Sequence, residues 1–525
     1  MADELMKVAE DSARGGFFLI SGTALATVIM AIASILIARF LGPELYGQYT
    51  LALVVPQLLF LFTDLGINQG LIKFTASLRS RGETYRLAKI IKYGLLLRAS
   101  TGIAIFIIDY AFADFFASFF LQRPDLSFYI RIASTSVLFQ VIFTTATSGF
   151  VGLDKAEYNA LTTNIQAITK TIVSITLVLL GFSVAGAIIG VVASYVVGAF
   201  AGIVILLLLI REKQGVRNSH NLSDDLKTLV RYGAPLYVSL LLIGFVPVYQ
   251  NVMLALFTTD ADVGNYKAAS NFFALMAVVS VPITTALLPA FSKLDSSANE
   301  KIKTFFKLAN KYTTMVVIPI TFLIIMFSEE IVKIVYGSTY QTAPLFLATH
   351  FLLYFLVGLG YLTLTSLYNG LGETKTTLRI GLITFLAVAV LSPLLTKTYG
   401  VQGLITAFLI ASTAGTIYSL YIAKRKFQIE FDARILFRIY LISAASSILP
   451  LIMLHFTQLP RLFNVTIGGL LYVFTYATLA PLTGIVTTSE LQTVTNITQK
   501  IRPLALIAKP VLTYQQKLLR ISAKT

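Results

Sequence analysis

The chain has no cysteine, three histidines and little charge of either sign. Without cysteine there can be no disulfide, thiolate zinc site, iron–sulfur cluster or cysteine nucleophile. Three histidines leave little from which to build a metal-centred enzyme, so no metal and no cofactor are expected. No Gly-x4-Gly-Lys-Ser/Thr motif occurs, which excludes a pump driven by its own ATP hydrolysis. Charged residues make up 13% of the 525, against about 25% in an ordinary soluble protein. That scarcity excludes a soluble enzyme of this size, and the composition fits no disordered, collagen-like or disulfide-rich class.

What fills the chain is apolar. Hydrophobic residues account for 56%. A helix that crosses a bilayer needs roughly 20 of them, so the total suffices for about fourteen crossings. Apolar segments lie near 16–40, 49–73, 90–112, 126–152, 157–181, 184–210, 229–257, 264–291, 304–327, 342–369, 377–397, 399–423, 434–456 and 463–486. Each should be helical, because lipid offers no water to an open strand edge. The alternation of a membrane barrel is absent. The opening residues mix Asp3, Glu4, Lys7, Glu10, Asp11 and Arg14, with no apolar core of a signal peptide. The run from Gly16 to Phe40 therefore reads as a retained first span.

The net charge of +16 has a direction. In a soluble chain it would suggest nucleic acid; here it points to cytoplasmic loops facing anionic lipid, with no nucleic-acid partner. With the N-terminus inside, 32 of the 41 Lys and Arg fall on the cytoplasmic side and six outside, while Arg98, Arg131 and Lys170 remain inside spans. This asymmetry predicts a multi-pass plasma-membrane protein with both termini cytoplasmic.

The sequence also repeats at an offset of about 217. Tyr46-Gly47-Gln48-Tyr49 aligns with Val263-Gly264-Asn265-Tyr266, Phe74 with Phe291, Gly152-Leu153 with Gly370-Leu371, and Val184-Ala185-Gly186 with Val401-Gln402-Gly403. Six spans is an even number, so the halves share one orientation, a layout found in transporters. The expected organisation is a cytoplasmic segment 1–15, a first lobe 16–211 and a linker 212–228. A second lobe 229–423, two further spans in 434–486 and a basic amphipathic cytoplasmic tail 487–525 follow. The tail opens with Thr487-x-x-Glu490, a capping-box pattern. Its alternation of apolar residues with Arg502, Lys509, Lys517, Arg520 and Lys524 suggests a helix on the inner leaflet.

Several motifs carry a family resemblance. Ile37 to Tyr49, reading IARFLGPELYGQY, resembles the first external loop of Wzx-type polysaccharide flippases. Asp64-Leu65-Gly66-Ile67 followed by Leu71-Ile72-Lys73-Phe74-Thr75-Ala76 resembles their second-span signature. Val263 to Ala269, Tyr336-Gly337 with Tyr340 and Ala343, and Gly370-Leu371-Gly372 with Lys375 resemble later junctions. These flippases belong to the multidrug/oligosaccharidyl-lipid/polysaccharide exporter superfamily. The resemblance implies an all-α polytopic fold of twelve or fourteen helices, with two six-helix lobes around a V-shaped cavity lined by spans 1, 2, 7 and 8. It implies a lipid-linked oligosaccharide as cargo, moved from the cytoplasmic to the outer leaflet, with membrane lipids and glycan-assembly enzymes as partners. Many relatives carry an acid in span 7, where this chain has Gln250 and Asn251.

The intramembrane charges are the candidate site, since a cation inside a span is costly. Arg98 could hold a phosphate through its planar fork or pair with Asp64. Lys170 lies on a stripe of Asn159, Thr163, Gln166 and Ser174 that would line a wet cavity or bond a neighbouring helix. Arg131 could bind cargo or snorkel to headgroups. Lys267 follows the repeat anchor Tyr266, in a span that the resemblance places on the cavity. Asp64 could couple an ion or neutralise Arg98, and Asp109 is expected to be solvated near the outer face. At the repeat offset Arg98, Arg131 and Lys170 correspond to about Val317, Ala348 and Ala387, which biases a headgroup site toward the first lobe. Pro282, Pro289 and Pro319 would kink their helices.

Three other functions compete. A glycosyltransferase would use Asp260-Ala261-Asp262, although helix capping is the ordinary role of such a pair. A drug or cation antiporter would need intramembrane acids for cationic cargo. A non-transporting scaffold for glycan assembly would bind headgroups without moving them.

Overall fold

The computed structural model describes residues 2–211, 222–294, 299–457, 459–488, 490–492, 495 and 510–519. Most of the expected linker 212–228, and Arg502, Lys509, Arg520 and Lys524 of the tail, lie outside the described residues. Every regular element among the described residues is helical. Nine of these helices are long and apolar enough to cross a membrane, and the bent pair Ala343–Leu359 with Thr363–Gly370 makes a tenth. Helices satisfy every backbone group internally, which is what an apolar chain in lipid requires.

The chain begins with α1 (Ala2–Ala52), kinked at Gly42 (φ 75°, ψ 173°). The segment Ile37–Tyr49 is therefore helical on both sides of a kink at Gly42. Gly42 supplies the positive φ, and Pro43 restarts the helix where no intrahelical donor is needed. The expected second span is also interrupted: α2 (Val54–Leu61) and α3 (Ile67–Ser80) are separated by a turn. Leu65 and Gly66 adopt left-handed φ values of 49° and 83° there.

Next come α4 (Thr84–Ala111), a short α5 (Ala113–Phe115), α6 (Ser127–Gly152), α7 (Ala156–Leu177) and α8 (Ser183–Arg211). Gly181 and Ser183 turn the chain between α7 and α8. α9 (Leu222–Phe257), α10 (Asp260–Asn271), α11 (Phe273–Ser292), α12 (Asn299–Met326) and α13 (Ser328–Tyr336) follow. α14 (Ala343–Phe351) continues as a 3-10 stretch, Leu352–Leu359, and then bends by 53° into α15 (Thr363–Gly370). α16 (Thr374–Phe427) reverses at Gly400 (φ 57°, ψ −138°). The last long elements are α17 (Ala433–Ser446), α18 (Ile448–Phe456) and α19 (Arg461–Leu482).

The prolines in these spans do not interrupt their helices. α11 runs on through Pro282 and Pro289, and α12 through Pro319. The breaks fall at turn residues such as Gly42, Gly66 and Gly360.

The helices gather into two compact units, Met1–Asn271 with Ala389–Leu404, and Phe272–Val388 with Ile405–Thr525. In the first, glycines bring backbones into contact, the usual device where helices pack in lipid. A Cβ on Gly47 would lie 1.8 Å from the Asp260 carbonyl oxygen, and one on Gly264 would lie 1.8 Å from the Pro43 carbonyl oxygen. α1 and α10 therefore cross backbone to backbone. α3 and α9 meet the same way, a Cβ on Gly233 falling 1.8 Å from the Gly66 oxygen. Leu71, Leu87, Ile91, Phe150 and Leu206 form the apolar cluster behind them.

In the second unit, Phe291, Phe306, Tyr368 and Phe427 make one cluster, and Ile318, Ile439, Ala480 and Leu512 another. The capping box is present: the Thr487 N–H donates to Glu490 Oε2 at 2.9 Å, and the Glu490 N–H to Thr487 Oγ1 at 3.4 Å. The tail residues 510–519 are helical, bury Leu512 in the second cluster, and bond Gln515 Nε2 to the Ala477 oxygen at 3.2 Å. Of the apolar residues expected on that face, Val511 is exposed and Leu518 half-buried.

Candidate functional site

The first unit holds all five candidate residues. The turn at 62–66 opens the backbone ladder inside an apolar helix, and each freed group needs a partner. Thr63 Oγ1 donates to the Phe60 oxygen at 2.7 Å. Asp64 Oδ1 accepts the Asn68 N–H at 3.0 Å, capping α3 from within the turn. Thr101 Oγ1 on α4 reaches the Thr63 oxygen at 3.2 Å, and the Tyr237 hydroxyl on α9 reaches the Leu61 oxygen at 2.8 Å.

Arg98 completes this network. Its side chain is fully buried. Nη1 donates to Thr63 Oγ1 at 2.9 Å, Nε to Thr145 Oγ1 at 3.3 Å and Nη2 to Thr144 Oγ1 at 3.4 Å. Asp64 acts on the guanidinium through space without forming an ion pair. The expected Arg98–Asp64 contact is thus replaced by hydroxyls, because Asp64 turns to its own helix terminus. Arg98 has no surface left for a ligand and serves to hold α2, α4 and α6 around the break.

Lys170 on α7 and Lys267 on α10 are different. Both are half-buried. Each packs on an element that borders α1, and the Lys170 charge acts on Lys267 through space. Among the described residues, neither ammonium forms an ion pair. Two like charges on membrane-crossing helices favour an anion over a cation between them.

The polar stripe around Lys170 divides by role. Gln166 Nε2 donates to Ser194 Oγ at 3.0 Å and Ser174 Oγ to the Ala187 oxygen at 3.1 Å, so both join α7 to α8. Lys170 alone of that half-turn series keeps its charge free of such contacts. Arg131 donates to Asp114, with about half of its side chain exposed, and is neutralised there. Asp109, expected to be solvated, is fully buried, and neither carboxylate oxygen has a hydrogen-bond partner. The remaining acidic motif is structural. Asp260 pairs with Arg123 Nε at 3.0 Å, and Asp262 Oδ2 accepts Thr259 Oγ1 at 2.8 Å at the start of α10.

Two of these features were open to sequence reading. Thr63-Asp64-Leu65-Gly66 is turn chemistry inside an apolar run and signals the break. Lys267 was visible as a cation beside a repeat anchor, but its proximity to Lys170, 97 positions earlier, has no local signal.

A protein-family model described as polysaccharide biosynthesis protein matches residues 12–295, more than half of the chain. No curated protein matches the chain in sequence. Among solved structures, the lipid II flippase MurJ in an inward closed conformation is 19% identical, with a TM-score of 0.70 over 88% of this chain and 99% of that one. A multidrug resistance MATE family transporter of the MOP superfamily, inward-facing, is 17% identical, with a TM-score of 0.62 over 78% of this chain and 98% of that one. A MOP superfamily transporter from Pyrococcus furiosus, described as having a binding pocket of reverse polarity that suggests a different function, is 17% identical. It aligns with a TM-score of 0.52 over 80% of this chain and 95% of that one. At these identities the likeness is one of fold.

Proposed function

The chain belongs to the polysaccharide biosynthesis protein family, within the MOP superfamily, and we propose that it is a flippase for a prenyl-phosphate- or prenyl-diphosphate-linked oligosaccharide. The cargo crosses from the cytoplasmic to the outer leaflet of the plasma membrane by alternating access, for cell-surface polysaccharide or glycoprotein glycan assembly. Glycan-assembly enzymes are the natural protein partners, supplying the cargo on one side and consuming it on the other. One observation carries the reading: Lys170 and Lys267, on membrane-crossing helices that both pack on α1, act on each other through space and form no ion pair among the described residues. A phosphate or diphosphate is the anion that a membrane-embedded pair of ammoniums suits, since it enters on a lipid and brings its own charge.

The layout we propose is fourteen crossings in two parallel sets of six plus two. Its support is local. Ser183 (φ 48°, ψ −130°) and Gly400 (φ 57°, ψ −138°) share one backbone conformation at the 217 offset. The contacts Gly47–Asp260 and Gly264–Pro43 exchange partners at the same offset. The Lys and Arg asymmetry supports cytoplasmic termini.

The competing functions meet specific obstacles. Two unpaired ammoniums repel a cationic drug, and the Pyrococcus furiosus relative shows that polarity is described as separating functions within this fold. The carboxylates that a glycosyltransferase would use are engaged by Arg123 and by the α10 terminus.

The test is flipping in liposomes that contain the full chain and a dye-labelled polyprenyl diphosphate disaccharide. Losing one charge-assisted hydrogen bond costs about 1.5–3 kcal/mol, so Lys170→Ala and Lys267→Ala should each slow flipping roughly tenfold or more. Wild-type rates in both variants would refute the lysine site. Headgroup binding by the wild-type chain without flipping would refute transport in favour of a scaffold.

A further inference from the structure

The second unit contains a cavity of about 460 Å³ with a chemistry unlike that of the lysine pair. Its polar lining is Thr284 and Thr285 from α11 with Tyr361, Thr365, Ser366 and Asn369 from the stretch after Gly360. Two leucines complete it, and none of its lining residues is charged. The volume lies within the range of small-molecule sites, roughly 300–1,000 Å³.

The fold builds this wall deliberately. Gly360 (φ 89°) ends the 3-10 stretch, and a Cβ there would fall 2.9 Å from Leu364 Cγ. The resulting bend turns Thr365, Ser366 and Asn369 onto one face of α15, at helical spacing. Thr285, Thr365 and Asn369 are exposed, although α11 and α15 belong to membrane-crossing elements.

The hydrogen-bonding capacity is two-sided. Thr284 Oγ1 donates to the Ser280 oxygen at 3.0 Å, and Ser366 Oγ to the Thr284 oxygen at 3.3 Å. Having donated, these hydroxyls offer lone pairs. Thr377 Oγ1 donates to Asn369 Oδ1 at 2.9 Å, which leaves the Asn369 –NH2 as a donor. Tyr361 adds a phenol and an aromatic face. Sugar hydroxyls donate and accept in turn, and sugar C–H faces lie against aromatic rings. An anion would find no cation here, and a cation no acid.

We infer that this cavity is a carbohydrate subsite, which takes neutral sugar units of the cargo. The inference rests on the flippase reading, and two probes separate their failures. One is a dye-labelled polyprenyl diphosphate carrying a neutral disaccharide. The other is the same labelled lipid without sugar. Thr365→Val and Asn369→Leu should slow flipping of the glycosylated probe at least tenfold relative to the bare one. Retained movement of the bare probe shows that the variants fold. Equal loss of both probes, or loss of neither, overturns the subsite.

A binding measurement stands apart from transport. The chain has no tryptophan, so Tyr361→Trp gives a single emitter. Maltose, lactose and diacetylchitobiose are titrated, with inorganic phosphate as control. A saturable emission change with a disaccharide and none with phosphate supports the subsite. No response to any sugar, or the same response to phosphate, overturns it. Should the wild-type chain move neither lipid probe, the flippase reading fails, and this titration alone decides the cavity.

Discussion

Arg98 and Lys170 are both cations inside a span, yet their surroundings assign them opposite roles. Arg98 has three hydroxyl acceptors and no exposed surface. Lys170 is half-buried beside another lysine. A buried donor removed from its acceptors leaves desolvated groups behind, at about 1–3 kcal/mol. Arg98→Met should therefore lower the thermal unfolding midpoint in detergent by that order. Lys170→Met should leave the midpoint unchanged or raise it, since it removes repulsion from Lys267. Melting curves of the two variants check this, and a wild-type midpoint for Arg98→Met combined with lost flipping would make Arg98 a ligand contact instead. Asp109 adds a second lesson at this scale. Position near a helix end suggested solvation, but packing buries its carboxylate without a partner.

Among the helices, glycine does two separate jobs. At Gly42, Gly66 and Gly360 it supplies a positive φ that ends a helix inside an apolar run. At Gly47, Gly233 and Gly264 it permits backbone contact between helices. The second job sets a sharp expectation. Gly233→Ala places a methyl 1.8 Å from the Gly66 oxygen, which forces α3 and α9 apart. Overpacking of this kind costs about 1–3 kcal/mol. Gly381→Ala, with nothing within 4 Å, should be neutral or stabilising by up to about 1 kcal/mol, because alanine favours the helix. Paired thermal melts of the two variants test the distinction, and equal destabilisation would refute the close-contact role.

For the molecule as a whole, charge that looked uniform in composition is partitioned. Most cations fall where the positive-inside rule puts the cytoplasmic side, we propose Lys170 and Lys267 as the anion site, and Lys311 ties the tail down. Lys311 Nζ donates to Glu490 Oε1 at 2.7 Å, as does the Tyr312 hydroxyl at 2.7 Å. Burial alone would push the Glu490 carboxyl up. The Lys311 ammonium, the Thr487 N–H and the Tyr312 hydroxyl more than reverse this and hold it at about 2, below its ordinary 4.5. A depressed carboxylate stabilises the folded state above its unfolded pKa, and that contribution is lost as protons bind. Docking of the tail should therefore be complete above about pH 4.5 and weaken progressively toward pH 2. Proteolytic accessibility of the tail across that range, with an acid-stable protease, measures it. Glu490→Gln should flatten the profile.

Composition and hydropathy were enough to determine a multi-pass helical membrane protein, because lipid permits few backbone solutions and each leaves a long apolar signal, and the quoted motifs carried the resemblance to its family. The capping box at Thr487 was legible because it is a short-range pattern. The turn inside the second span was written in Thr63-Asp64-Leu65-Gly66 but masked by the apolar run around it. Only tertiary structure decided that Arg98 braces that turn, that Asp64 caps α3, that Lys267 stands near Lys170, and that Leu512 of the tail is buried. Those outcomes depend on which helices meet, and residues far apart in the chain carry no local record of their neighbours. Periodicity says which face of a helix is polar; packing says what that face touches.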